Sequence, residues 1–188
     1  MPLLRLLLFV VLLGGSALAQ SPTYGVGRTP TAEEIRAWDI SISPTGEELP
    51  PGRGTAKEGA LVYQQQGCGV CHGPDGTKGQ APRLVKLTVG PNAKPWDLGR
   101  ILPVRAPYAT GVWDYINRAM PMYREGTLTP DEVYALTAFL FFKNDLISET
   151  EVLDAHSLPK VTMPNREGWA PMPEDWKPRK PRMPGYPY

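Results

Sequence analysis

The chain has 188 residues, 41% of them hydrophobic and 21% charged, and it contains 22 prolines and 19 glycines. Average usage would give roughly 9 prolines. Because an interior proline costs a helix about 3 kcal/mol, this composition excludes a long helical bundle or coiled coil. Two cysteines exclude a multi-disulfide scaffold. A net charge of +1 with mixed signs argues against nucleic acid as a partner.

Residues 1–19 have the pattern of a secretory signal peptide. Arg5 precedes eight strongly apolar residues, and small residues ending at Ala19 fit a cleavage site. Eight apolar residues are too few to span a bilayer, which takes about 20, although an uncleaved anchor remains the alternative. We therefore expect a periplasmic mature chain without a membrane span.

The remaining chain divides by composition into three zones. Prolines and glycines interrupt residues 20–54, which are expected to form an irregular N-terminal arm with one short helix from the N-cap Thr31 to Trp38. Residues 55–147 hold nearly all of the helical periodicity and are predicted to form the folded domain. Residues 148–188 contain eight prolines and are predicted to form a proline-rich C-terminal arm.

Three main helices are predicted in the middle zone. The first covers about 55–66, with Gly59 and Tyr63 on one face, and the second covers about 111–119 with Thr110 as its N-cap. No segment alternates with a period of two, so the sequence predicts a mostly α fold with little sheet.

The third helix has the clearest start in the chain. Thr129 and Glu132 form a capping-box pair around Pro130 at the first helical position. An apolar face follows, made of Val133, Leu136, Leu140 and Phe141.

The chemistry lies in the C-x-x-C-H sequence formed by Cys68, Cys71 and His72. This is the attachment signature of c-type haem. Two thiols three positions apart can form thioethers with the two vinyl groups of one haem, and the adjacent imidazole can then bind the iron. The motif therefore predicts one covalently bound haem c.

Other uses of this motif are less well supported. A thioredoxin-like C-x-x-C follows a strand in a βαβ pattern, and none is visible in the sequence. A structural zinc site needs four ligands, whereas the chain has two cysteines and two histidines, and His156 lies in the proline-rich zone. A plain disulfide leaves His72 without a role.

The remaining haem contacts must come from elsewhere in the chain. A ligating histidine usually donates its second ring N–H to a carbonyl, and Pro82 is the candidate. Met120 is the candidate sixth ligand, because it lies on a loop between two predicted helices and methionine opposite histidine is a known arrangement. Met163, Met122 and His156 remain alternatives.

Aromatic and basic side chains between the two predicted ligands could line the haem cleft. Ordinary packing is the competing interpretation. The candidates are Trp96, Tyr108, Trp113, Tyr115, Arg100 and Arg105.

The middle zone resembles a class I cytochrome c domain. More narrowly, the chain resembles the cytochrome c subunit of periplasmic sulfite dehydrogenases and of the sulfur dehydrogenase in thiosulfate oxidation. The stretches that carry this resemblance are residues 24–39 (YGVGRTPTAEEIRAWD), 49–55 (LPPGRGT), 107–110 (PYAT), 113–121 (WDYINRAMP), 128–138 (LTPDEVYALTA) and 161–166 (VTMPNR).

The resemblance implies an electron-transfer subunit that accepts electrons from a separate molybdenum-cofactor subunit and passes them to a downstream cytochrome c or oxidase. Some subunits of the sulfur dehydrogenase type carry two haem domains, whereas this chain has one C-x-x-C-H, which favours the single-haem type. A free-standing diffusible carrier and a haem peroxidase remain alternatives.

The C-terminal arm suggests a docking function. Residues 156–188 carry six basic and three acidic side chains, with aromatic residues that could anchor on a partner. A disordered or self-wrapping tail is the alternative.

Overall fold

The computed structural model describes residues 27–90, 92–94, 97–99 and 101–168. In this part of the chain the fold is mostly helical, as predicted. Residues 37–168 belong to one compact unit and residues 27–36 to another. The elements in chain order are α1 (Ala32–Trp38), β1 (Arg53–Thr55), α2 (Ala56–Gln65), α3 (Cys68–His72), α4 (Leu102–Arg105), α5 (Ala109–Ala119), α6 (Pro130–Lys143), β2 (Val152–Asp154) and a 3-10 turn (Leu158–Lys160).

The short helix α1 begins where the sequence predicts. The hydroxyl of Thr31 accepts a hydrogen bond from the Glu34 amide at 3.2 Å, and the Glu34 carboxylate accepts one from the Thr31 amide at 2.8 Å. The Arg28 guanidinium forms an ion pair with Glu34 and is the main cause that lowers the pKa of this carboxyl to about 2. This reciprocal capping satisfies two backbone donors that a helix start would otherwise leave open.

The domain is built on the crossing of α2 with α6. Both helices begin with the reciprocal capping pattern, at Thr55 for α2 and at Thr129 for α6. The backbones meet at Gly59, where a Cβ atom would lie 1.9 Å from the carbonyl oxygen of Ala135. Tyr63, one turn further along α2, is buried against α6 through its contact with Phe139. The predicted face of α2 and the predicted capping box of α6 are confirmed.

Helix α5 begins earlier than the sequence suggested. Its N-cap is Tyr108, which makes no side-chain capping bond, and its first residue is Ala109. The prediction of Thr110 as the N-cap is therefore wrong. Thr110 lies inside the first turn and is buried. Tertiary packing therefore decides its position, although threonine is by local propensity a good N-cap residue.

The compact unit extends beyond the predicted domain boundaries of 55–147. Strands β1 and β2 pair antiparallel, with Gly54 opposite Leu153, and so join the segments that flank the helices. Leu49, Leu153 and Leu158 are buried members of the main core. The first part of the predicted C-terminal arm thus packs on the domain itself. The high proline content did not indicate this, because proline disfavours helices and strands but does not prevent a segment from being buried.

No helix in the described ranges is long and apolar enough to cross a membrane. The predicted signal peptide and residues 169–188 of the predicted C-terminal arm lie outside the described residues.

Candidate functional site

The C-x-x-C-H motif forms its own short helix, α3, directly after α2. Gly67, with φ of 71°, makes the left-handed turn between the two helices, a conformation that glycine adopts without strain. Cys68 and Cys71 are half-buried and are not bonded to each other. Because residues three apart in a helix lie on the same side, both thiols are directed to one face. Burial raises the pKa of the Cys68 thiol.

The imidazole of His72 is held in a defined tautomer. Its Nδ1 lies 2.7 Å from the carbonyl oxygen of Pro82, the partner expected from the sequence. A carbonyl can only accept, so Nδ1 carries the proton and donates it. In the neutral imidazole the other ring nitrogen, Nε2, then carries the lone pair that can bind a metal.

The loop after the motif folds back tightly onto α3. The Ala81 amide donates to the Cys71 carbonyl at 2.9 Å, and a Cβ atom at Gly79 would lie 2.1 Å from that same carbonyl oxygen. The Tyr63 hydroxyl donates to the Gly73 carbonyl at 2.7 Å, and burial raises the pKa of Tyr63 to about 12. Glycine at 79 is therefore required for the close approach that brings the Pro82 carbonyl to His72.

Asn144 is a supporting residue that the sequence interpretation missed. Its side-chain amide donates to the Leu84 carbonyl at 2.9 Å and to the Leu140 carbonyl at 2.7 Å, and its oxygen accepts from the Lys86 amide at 2.8 Å. These bonds fix the loop just beyond Pro82 to the end of α6. An asparagine at a helix C-terminus is an ordinary cap signal, so its long-range partners could not be read from the sequence.

Met120 stands at the end of α5, half-buried and packed against the main core. The loop that follows it reaches the haem motif, because Arg124 donates a hydrogen bond to the Gln66 carbonyl at 3.3 Å. The positive charge of Arg124 also offsets part of the increase that burial causes in the pKa of the Cys68 thiol. The segment of the predicted sixth ligand and the segment of the predicted thioether sites are thus brought into contact.

The alternative ligands have different surroundings. The side chain of Met122 is 59% exposed, whereas Met163 is 2% exposed and belongs to the hydrophobic core. His156 is exposed in the turn between β2 and the 3-10 segment. Met120, at the end of a packed helix and on the segment whose Arg124 contacts Gln66, stays the predicted ligand.

A cleft of about 570 Å³, largely open to solvent, lies at the α4–α5 corner. Of the residues predicted to line the haem site, Tyr108 and Arg105 line this cleft, whereas Tyr115 is 49% exposed. None of Cys68, Cys71, His72 and Met120 lines it. Trp96 and Arg100 lie outside the described residues. The complete lining is Ile101, Leu102, Arg105, Ala106, Pro107, Tyr108 and Gly111.

Trp113 supplies a test of whether the domain suits a haem. The indole is 1% exposed, and in the described part of the chain its Nε1–H has no acceptor. A buried donor without a partner costs about 1–3 kcal/mol. The indole nitrogen is enclosed by protein, so it does not face a space that a haem could fill. The fit to a haem rests on the thiols of Cys68 and Cys71 and the imidazole of His72.

The C-x-x-C-H helix α3 follows α2, and α2 crosses the longer helix α6. This arrangement defines a c-type cytochrome domain. The comparisons agree: residues 54–140 match the family described as cytochrome c oxidase, cbb3-type, subunit III. The chain therefore belongs to the cytochrome c family, whose members transfer electrons through covalently bound haem c.

Within that family the chain is similar to a chain of the sulfane dehydrogenase SoxCD from Paracoccus pantotrophus. The two are 32% identical, with a TM-score of 0.65, and the similarity covers 79% of this chain and 72% of the other. No curated protein matches the chain. The resemblance to the cytochrome subunits of sulfur-compound dehydrogenases is thereby confirmed.

Proposed function

We propose that this chain is a single-haem electron-transfer subunit of a periplasmic sulfite or sulfur dehydrogenase. Cys68 and Cys71 would hold the haem through thioether bonds, and His72 and Met120 would bind its iron. The bound haem supplies one-electron iron chemistry, which the amino-acid side chains lack. The observation that carries the proposal is the helix α3, whose histidine is already oriented by the Pro82 carbonyl.

The protein residues hold the cofactor and set its environment. The Nδ1–H···O bond to Pro82 orients the ring so that Nε2 is the nitrogen available to the iron, and it increases the basicity of His72 as a ligand. A methionine sulfur that binds the iron together with His72 would raise the reduction potential of the haem. This set of groups favours an electron carrier over a peroxidase, which needs an open sixth position.

A molybdenum-cofactor subunit is the proposed electron donor, and a downstream cytochrome c or oxidase is the acceptor. The 32% identity with a chain of a sulfane dehydrogenase supports a sulfur-compound dehydrogenase as the complex. The second candidate is a free-standing periplasmic cytochrome c that serves other donors, because the family match covers the haem-motif region alone and specifies no electron donor.

Copurification separates the two candidates. Full-length tagged chain, isolated from its native host, is expected to bring a molybdenum-containing subunit with it, and added sulfite or thiosulfate should reduce its haem. A haem-loaded chain that purifies alone and stays oxidised with both substrates would instead establish the free carrier.

A truncated variant shows which part of the chain contacts the partner. Removal of residues 169–188 spares every residue in the described core, so the haem spectrum should be unchanged while the partner is lost. Retention of the partner by this variant would show that the docking surface lies on the domain and not on the C-terminal arm.

A further inference from the structure

The loop after α5, residues 121–127, is bonded to the haem motif through one arginine. The Arg124 guanidinium reaches the carbonyl of Gln66, the C-cap residue of α2, at 3.3 Å. Gln66 lies two residues before Cys68. Burial raises the pKa of the Cys68 thiol and the Arg124 charge opposes that increase, so the cation acts at the first predicted thioether site. Arg124 therefore joins the segment of the predicted methionine ligand to the segment of the predicted cysteines.

Both ends of this contact are fixed by further hydrogen bonds. On the loop side, the Arg124 amide donates to the Pro121 carbonyl at 2.9 Å, and the Arg124 carbonyl accepts from the Thr127 hydroxyl at 2.7 Å. On the motif side, the Gln66 side-chain amide donates to the Glu132 carboxylate at 2.8 Å. Because Glu132 belongs to the capping box of α6, the contact is tied to the start of that helix.

The backbone of the loop is strained next to the arginine. Tyr123 has φ of 70°, a left-handed conformation that residues other than glycine seldom adopt. Its amide donates to the Glu125 carboxylate at 2.8 Å, which holds the turn. The Tyr123 side chain is 88% exposed, so burial of the ring does not explain the strain. Strain of this kind persists where surrounding contacts hold it, and it is common at ligand-binding sites.

We propose that the Arg124–Gln66 bond is a bridge that holds the loop after α5 against the haem motif and so limits release of its methionine from the haem iron. This inference rests on the proposed function, and Arg124 is a positioning residue that acts through the loop. Met120 and Met122 flank Pro121, so the bridge holds the loop whichever of the two binds the iron. A methionine that leaves the iron frees the sixth position, and the apparent affinity for a competing ligand rises with the fraction of molecules in which that position is free.

Imidazole is the probe, because it binds iron and competes with methionine for the sixth position. The oxidised full-length holoprotein is titrated with imidazole, and loss of the long-wavelength absorption of methionine–iron ligation reports the exchange. A hydrogen bond from a charged group can shift an equilibrium about tenfold, so Arg124→Gln should bind imidazole about tenfold more tightly than the natural chain. Arg124→Lys keeps the charge and a donor and should recover part of this difference.

Thr127→Val is the matched control on the same loop. It removes the hydrogen bond to the Arg124 carbonyl but leaves the Arg124 side chain and its bond to Gln66 in place. Its imidazole affinity should stay close to that of the natural chain. Equal affinity of Arg124→Gln and the natural chain, or an equal gain in Thr127→Val, would refute the bridge.

The outcome also distinguishes the bridge from the function beneath it. A natural chain that shows the methionine–iron absorption, with the same imidazole affinity in Arg124→Gln, disproves the bridge alone. A full-length chain without covalent haem, or with haem but without the methionine–iron absorption, disproves the proposed ligation as well.

Discussion

The crossing of α2 and α6 leaves no room for a side chain at Gly59. A Cβ atom there would lie 1.9 Å from the Ala135 carbonyl oxygen and 2.7 Å from the Phe139 Cβ, so Gly59→Ala must push the two helices apart by about 1 Å. Overpacking costs about 1–3 kcal/mol and occasionally more, while alanine gains up to about 1 kcal/mol over glycine in a helix. Because the clash is with backbone, which cannot rotate away, we expect a net loss of about 2 kcal/mol or more.

Gly111→Ala is the matched control for this substitution. Gly111 also lies in a helix, α5, but a Cβ atom there would meet no other atom within 4 Å. The same change should therefore stabilise the fold by up to about 1 kcal/mol. Urea unfolding of the two variants, followed by circular dichroism, measures both values. Equal stability of Gly59→Ala and the natural chain would refute the close crossing of α2 and α6.

Three further predictions concern the haem ligand, the loop support and acid stability. Met120→Ala should abolish the long-wavelength absorption expected of methionine–iron ligation in the oxidised protein, whereas Met122→Ala should retain it; loss in Met122→Ala alone would reassign the ligand. Asn144→Ala leaves buried backbone groups unpaired and should lower the free energy of unfolding by about 3 kcal/mol in urea titrations, and a loss below about 1 kcal/mol would contradict its supporting role. The N-cap bonds of Glu58 and Glu132 lower the pKa of both carboxyls. Their contribution to stability is therefore present above about pH 4.3 and lost as the pH falls through the folded-state pKa values. The free energy of unfolding should depend less on pH between about 6 and 3 in Glu132→Gln than in the natural chain, and an unchanged dependence would contradict this assignment.

Local signals predicted the parts of the fold that local chemistry determines. Thr31, Thr55 and Thr129 each begin a helix with a glutamate three positions later, and all three starts were readable because the cap and its partner are close in sequence. The haem motif was readable for the same reason, since its thiols and imidazole lie within five residues.

Long-range contacts could not be predicted in this way. Thr110 has the residue type of a cap, yet packing buries it inside α5. Leu153 and Leu158 lie in a segment that shows no helical or strand period, and they are buried in the core that the helices form. Asn144 acts on a loop nearly 60 positions earlier, a distance that no sequence window covers.

The contact of the Pro82 carbonyl with His72 could be predicted in part from the sequence. The sequence supplied the chemical expectation, because a ligating histidine needs an acceptor for its second N–H. The structure adds the reason that this acceptor is within reach. Gly79 lies so close to the Cys71 carbonyl that the chain turns back, and the Pro82 carbonyl contacts His72 from a position ten residues later.

The central claim, a single covalent haem on Cys68 and Cys71, is tested most directly by the intact mass of the full-length gene product purified from its native compartment and denatured. We predict the mass of a chain beginning at Gln20 plus one haem, with no thiol left to alkylate. A mass without haem, or with two haems, or two alkylatable cysteines, would contradict the account.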